Sequence, residues 1–267
     1  LAPLHEMLTA DRVTAEVRQL RLGRATHDDS GPAEIWRILV AQGWGGELAE
    51  RLRRVCSEQE WARQLVTGRM VGIAKGMKAG VAGQRLIHIL GASAKWFGRT
   101  LWGAARDGGA PPPLPQQYGF AQGRGSSDAH LQKAETVRRA LACGWDCCRL
   151  CLDVSQAFPS ISHRGLSRMI DRWPQPARAA GSVLMHILTQ ARVEFHTPGT
   201  PAPPLFLRRG VRQGGAEGPF IFRSAYDQAL EEFTALWRAC LEDRGIPADT
   251  LAWVCSGRDV DPCWGEA

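Results

Sequence analysis

The stretch from Gly218 to Cys240 constrains this chain more than any other. Pro219 fits the first turn of a helix, where a missing N–H goes unfelt. Phe222, Ala225, Tyr226, Ala229, Phe233, Leu236, Trp237 and Cys240 then recur on one face. Gly245 and Pro247 end the pattern. An amphipathic helix of this length is stable in water only against a layer that covers its stripe. Whatever the chain folds into has to provide that layer.

Apolar runs elsewhere supply candidate strands. Met70 to Ala74 and Leu86 to Leu90 flank Lys75-Gly-Met-Lys78-Ala-Gly-Val-Ala-Gly, which reads as a hairpin with a basic, Gly-rich tip. Arg192 to His196 alternates like a strand, and Leu205 to Arg209 returns after a Pro-rich loop. A further apolar run ends in Cys151-Leu152-Asp153, which places a carboxylate at a strand end, and Leu251 to Cys255 is one last short strand.

Helical spacing fills most of the rest. Leu8, Val13, Val17 and Leu20 share a face before the polar break from Gly23 to Pro32. A helix then turns Ile35, Ile38 and Leu39 inward, and Glu47 to Arg54 and Gln59 to Leu65 continue the pattern. Ala94, Phe97, Leu101 and Trp102 lie on a helix that stops before Asp107-Gly-Gly-Ala-Pro-Pro-Pro, and Pro111 to Gln117 is extended. Ser126 or Ser127 caps a helix carrying Ala129, Ala134, Val137 and Leu141. Ser162 caps another, with Leu166, Met169, Ile170 and Trp173 on one face, and Val183, Leu184, Ile187 and Leu188 mark one more.

The chain has 267 residues, enough for one large domain or two small ones. At 44% hydrophobic and 22% charged it has the balance of a folded globular protein. No apolar run approaches the ~20 residues that span a bilayer. The net charge of +6, much of it Arg, favours polyanionic partners. The first residue is Leu, so the chain is either processed or part of a longer protein. Eight Cys are present, four of them between Cys143 and Cys151. Cys148-Arg-Leu-Cys151 has the spacing of one half of a zinc site, but the segment reads as a strand entering the core. Buried free thiols on a strand are the simpler account, and a disulfide framework is not expected without a secretory signal.

Taken singly, the polar residues of interest have ordinary explanations. An Asp at a strand end is usually a cap or a surface charge, Gln213-Gly214-Gly215 is any turn before a helix, Arg85 is a strand Arg, and Phe158 is core. Lys75 and Lys78 are more readily solvated charges than ligands. Their order along the chain distinguishes them. Tyr118-Gly119-Phe120-Ala121-Gln122-Gly123-Arg124-Gly125-Ser126-Ser127-Asp128-Ala129 is followed by Leu152-Asp153-Val154-Ser155-Gln156-Ala157-Phe158, then by Gly210-Val211-Arg212-Gln213-Gly214 and Gly218-Pro219-Phe220-Ile221-Phe222. Upstream stand a weaker block from Gly23 to Ile35, and Ile73-Ala74-Lys75 with Gln84-Arg85-Leu86-Ile87-His88-Ile89-Leu90. This series resembles reverse transcriptases of the non-long-terminal-repeat (LINE-like) retrotransposon family over roughly residues 20 to 255.

The resemblance implies an α+β fold: the fingers and partial palm of a right-hand polymerase, with a small antiparallel sheet backed by helices. It divides the chain into an N-terminal helical region (1–66), a fingers-like region with a template-contacting segment (67–150) and a partial palm without a thumb (151–267). It implies RNA-directed DNA synthesis, with an RNA template, a DNA primer and deoxynucleoside triphosphates as partners and no membrane. Two Mg²⁺ ions, or Mn²⁺ in their place, would stabilise the attacking and leaving oxygens. Asp153 would be the catalytic carboxylate and metal ligand, with the Val154 carbonyl as a second oxygen. Arg85, helped by Lys75, would grip the triphosphate. Phe158 would lie under the sugar and disfavour a ribose 2′-OH. Gln213 and Gly214 would touch the nucleotide and template. Gly119, Phe120 and Arg124 would lie along the template. The family places the protein inside the cell, in nucleus or cytoplasm, and not in a secretory route.

Two carboxylates of that family's site have no clear counterpart. An adjacent Asp pair on a tight hairpin should follow Leu251 to Cys255, and the sequence instead reads Ser256-Gly257-Arg258-Asp259-Val260-Asp261-Pro262. Asp259 and Asp261 share a face of an extended segment, but Pro262 works against a returning strand. Pro159, Arg212 and Gln156 depart from the family pattern without removing a ligand. The expectation is a fragment of such a polymerase with impaired activity, or a catalytically inactive nucleic-acid-binding remnant.

Overall fold

The structure is a computed structural model that describes residues 2–27, 30–60, 63–74, 84–144, 151, 153–154, 156–195 and 203–246. In chain order the elements are α1 (Ala2–Met7), α2 (Ala10–Arg18), α3 (Ala33–Ala41), α4 (Gly45–Glu58), α5 (Arg63–Val66), β1 (Thr67–Ala74), β2 (Gln84–Leu90), α6 (Ala92–Asp107), α7 (Ser126–Ala142), α8 (Ala157–Ser160), α9 (His163–Asp171), α10 (Ala177–Thr189), β3 (Arg192–Phe195), β4 (Leu205–Phe206) and α11 (Gly218–Glu242). They form two compact units. One combines Leu1–Pro111 with Gln156–Phe222, and the other combines Pro112–Ser155 with Arg223–Ala267.

The first unit is built around α6. Trp96, Phe97, Leu101 and Trp102 are buried on it, and so are Ala92, Ala94, Ala104 and Ala105. α2 and α10 both pack on α6, α2 against Gly103 and α10 against Gly108. Complete burial of Leu101 alone contributes about 2–3 kcal/mol. Two ion pairs lock α2 to α6: Arg12 to Asp107 at 2.9 Å and Arg99 to Glu16 at 2.8 Å. Leu8, Val13, Val17 and Leu20 are buried as their spacing requires. α9 starts at Ser162, whose hydroxyl accepts from the Gly165 N–H at 2.9 Å. Its Leu166, Met169 and Ile170 pack towards α10, where a Cβ on Gly181 would stand 2.7 Å from Ile170.

α3 is a helix, as its pattern predicts, but it is rotated. Ile35 and Ile38 are 50% and 60% exposed, while Ala33 and Val40 are buried. Trp36 sets the orientation: its ring lies 5.6 Å from that of Trp96, and its Nε1 donates to the Ser30 carbonyl at 2.9 Å. An indole that gains both an aromatic neighbour and a hydrogen bond outweighs two Ile side chains.

The sheet has the order β2-β1-β3-β4. Both expected hairpins are present and antiparallel, with Gly68 opposite Leu90 in one and Arg192 opposite Phe206 in the other. The sheet as a whole is mixed, because β1 and β3 pair in parallel from Thr67 opposite Arg192 to Met70 opposite Phe195. The expected all-antiparallel sheet is corrected on this point. A hairpin is specified by local pattern and turn, whereas a parallel pair needs a long crossover that local pattern does not encode.

The second unit contains α7 and most of α11. α7 is capped by Gly125 rather than by either Ser: the Gly125 N–H donates to the Asp128 carboxylate at 2.7 Å. α11 has the predicted start and length, but Phe233, Leu236 and Trp237 near its end are exposed. The strand expected before Asp153 falls mostly outside the described residues. Cys151, Asp153 and Val154 are described, lie in no strand and are exposed, because a strand forms only against a paired edge and no described residue pairs with them. Cys56 is a buried free thiol, pushed by burial up to about 12, whereas Cys151 and Cys240 are exposed. Among the described residues, no helix is long and apolar enough to cross a membrane.

Candidate functional site

In the first unit, three of the sequence blocks meet at the Gly-rich turn before α11. Gly210 has a left-handed φ of +84°, and a Cβ there would press on the Phe158 carbonyl and the Pro159 backbone. Its N–H donates to the Ile161 carbonyl at 2.7 Å, and the Val211 N–H donates to that of Phe158 at 3.1 Å. The Phe158 ring stacks on Phe222 at 5.0 Å and 15°. The block ending at Phe158 and the block from Gly210 to Phe222 are therefore one packed unit.

The third block is β2. The Gln213 carbonyl accepts from the His88 N–H at 2.7 Å, so the turn attaches to the outer edge of the sheet. Gly214 follows with φ +125°, and a Cβ there would run into the His88 carbonyl oxygen. Gln213 is half-buried and Gly214 exposed. Burial, and secondarily the Arg212 guanidinium, pushes the His88 ring down to about 4, so it is neutral at pH 7.

The turn is held from beneath by a buried ion pair. Arg212 Nη2 and Nε donate to one Glu217 oxygen at 2.7 and 3.2 Å, and Nη1 donates to the Leu65 carbonyl at 2.8 Å. Both side chains are almost fully enclosed. The carboxylate fits only because two neighbours are glycine: a Cβ on Gly98 or Gly215 would stand 2.5 or 2.6 Å from it. Removing either ion would leave the other buried and uncompensated. His88, Arg212 and Glu217 escaped sequence reasoning. The available signal was an Arg and a Glu five residues apart in an otherwise Gly-rich, uncharged run.

The second unit brings Gly119, Phe120 and Arg124 together in one loop. Arg124 Nη1 donates to the carbonyls of Leu114, Pro115 and Gln117 at 2.6, 3.0 and 2.9 Å, which fixes the loop's shape. Asp227 of α11 anchors it by accepting from Gln117 Nε2 at 2.9 Å. The Phe120 carbonyl accepts from Arg223 at 3.4 Å, and Phe120 itself is half-exposed with φ +55°. A non-glycine residue held there stores about 1–2 kcal/mol of strain.

Asp153 and Val154 belong to the second unit and are exposed. Among the described residues, the Asp153 carboxylate has no hydrogen bond or ion pair, and no group of three or more His, Cys, Asp or Glu is placed to hold a metal ion. The backbone of Arg85 lies in β2 opposite Ile73. Its side chain, Lys75, Asp259 and Asp261 lie outside the described residues. In comparisons with known proteins, no family model and no curated protein matches this chain.

Proposed function

We propose that the chain carries the fingers and part of the palm of an RNA-directed DNA polymerase, similar to the reverse transcriptases of non-long-terminal-repeat retrotransposons. One observation carries the reading. Phe158, the Gly210–Phe222 turn and His88 of β2 come from three blocks far apart in sequence, and they pack into one cluster. A shared site requires such blocks to lie together, and this packing supports the reading. The ordered loop holding Gly119, Phe120 and Arg124 is a further surface for a template strand.

The reading also requires a metal set. Two Mg²⁺ ions in such an enzyme stabilise the attacking and leaving oxygens. Among the described residues no group of three or more His, Cys, Asp or Glu is placed to hold such ions, and Asp259 and Asp261 lie outside those residues. A second reading is a nucleic-acid-binding module without catalysis.

Primer extension on an RNA template, with Mg²⁺ and deoxynucleotides, separates the two. The polymerase reading expects extension that Asp153→Ala reduces by about 10³-fold or more. Strand binding without extension, from a chain that melts cooperatively, overturns it in favour of the second.

A further inference from the structure

The cluster described above leaves one surface of the first unit unused. Arg192 and Phe206 face each other across the β3–β4 ladder, and the Arg192 guanidinium carbon lies 5.3 Å from the centroid of the Phe206 ring. Phe206 is 51% exposed on the last strand of the sheet. Arg208 and Arg209 follow it and are exposed. The next residue, Gly210, is tied to the start of α9: its carbonyl accepts from His163 Nε2 at 2.9 Å. Arg164 and Arg168, one helical turn apart on α9, are exposed as well. None of these five arginines has an ion-pair partner among the described residues.

Carboxylates are few along the strip, Asp171 at the end of α9 being exposed beside Arg168. Glu194, the one carboxylate on β3 and β4, is already held by Arg63 at 2.6 Å and His27 at 3.3 Å. From Phe195 to Val211 the sequence has no Asp or Glu. The cations are also of one kind, since Gln156 to Gly218 contains no Lys. An anionic lipid surface attracts Lys and Arg alike, whereas a guanidinium forks onto a phosphate and stacks on rings. Arginines on both sides of an exposed aromatic ring are what a single strand needs: phosphate ligands and a stacking platform.

We propose that this strip binds a single-stranded polynucleotide, with one base stacked on Phe206 and successive phosphates on Arg208, Arg209 and Arg164. It deepens the polymerase reading by naming a strand-binding surface, and it requires no catalysis.

The test is fluorescence anisotropy with labelled oligouridylate and oligothymidylate of about 15 nucleotides, in EDTA and without deoxynucleotides. An inactive polymerase therefore leaves the result untouched. Phe206→Ala is expected to weaken binding about 10-fold, and Phe206→Tyr to retain it. Arg208→Ala with Arg209→Ala should weaken it at least ~10-fold and lower the slope of log K against log salt by about 1.4. Arg18→Ala with Arg21→Ala, which removes the same charge from exposed positions outside the strip, should change it less than ~3-fold. Because the arginines are exposed and Phe206 half-exposed, melting temperatures should fall by no more than a few degrees. A preference for the ribo- or deoxyribo-oligomer supports the proposal and assigns the strand. Wild-type affinity in Phe206→Ala, or an equal loss in the Arg18/Arg21 pair, overturns it. So does a strip variant that loses only its binding to phosphatidylserine vesicles.

Discussion

Gly214 is glycine for two separate reasons. Its φ of +125° suits no L side chain, and a Cβ would collide with the His88 carbonyl. That carbonyl belongs to a paired strand residue, opposite Met70, and has little freedom to move aside. Gly214→Ala should therefore cost on the order of 3 kcal/mol, read from urea unfolding. The resemblance gave this glycine a role towards the nucleotide; the packing gives it one towards β2. Residue type alone cannot separate the two, and it singled out neither His88 nor Glu217 as a support of this turn. His88 adds a pH dependence. Above its ordinary value of 6.5 the ring is neutral in folded and unfolded chains alike. Between about 6.5 and about 4 the unfolded chain takes up a proton that the folded chain refuses, so stability falls as pH falls. The loss is on the order of 3 kcal/mol and is complete below about 4. Unfolding of the wild type and His88→Gln across pH 7 to 4 should show this slope in the first protein and its loss in the second.

Single elements were largely legible because their signals are local. Apolar spacing gave α2, α6, α9, α10 and α11, and paired apolar runs gave both hairpins. Capping shows where local signals divide. Ser162 reads as a cap and is one; Ser126 reads as a cap, but Asp128 lets Gly125 take the position. Ser162→Ala should lower stability by about 1 kcal/mol and Ser126→Ala by less than about 0.5, compared by thermal unfolding. What spacing did not give was rotation and pairing. Ile35 and Ile38 fit an inward stripe, yet Trp36 decides which way α3 faces, and only the position of Trp96 on α6 makes that choice favourable. The partnership of β1 with β3 likewise depends on elements far apart in sequence.

For the whole molecule, the two compact units exchange chain at Pro111, Ser155 and Phe222. The Pro run at 111–113 marks the first crossing in the sequence. The others fall between Asp153 and Phe158, and inside α11, where composition gives no sign. Each unit has its own anchor, Leu101 in one and Asp227 in the other. Hydrogen exchange should show Leu101→Ala loosening amides of α2, α6 and α10, and Asp227→Ala loosening those of the 112–124 loop. Loosening of both sets by either variant would argue against separate cores. The parallel pairing of β1 has a consequence for synthesis. β1 and β2 can close as soon as both leave the ribosome, but the other edge of β1 must wait for Arg192 to Phe195. Met70 and Phe195 are 125 positions apart, which at about 5–20 residues per second is roughly 6 to 25 s of translation. Throughout that interval the nascent hairpin presents a bare strand to every neighbouring chain on the polysome, so this protein should aggregate during expression more readily than its folded stability suggests.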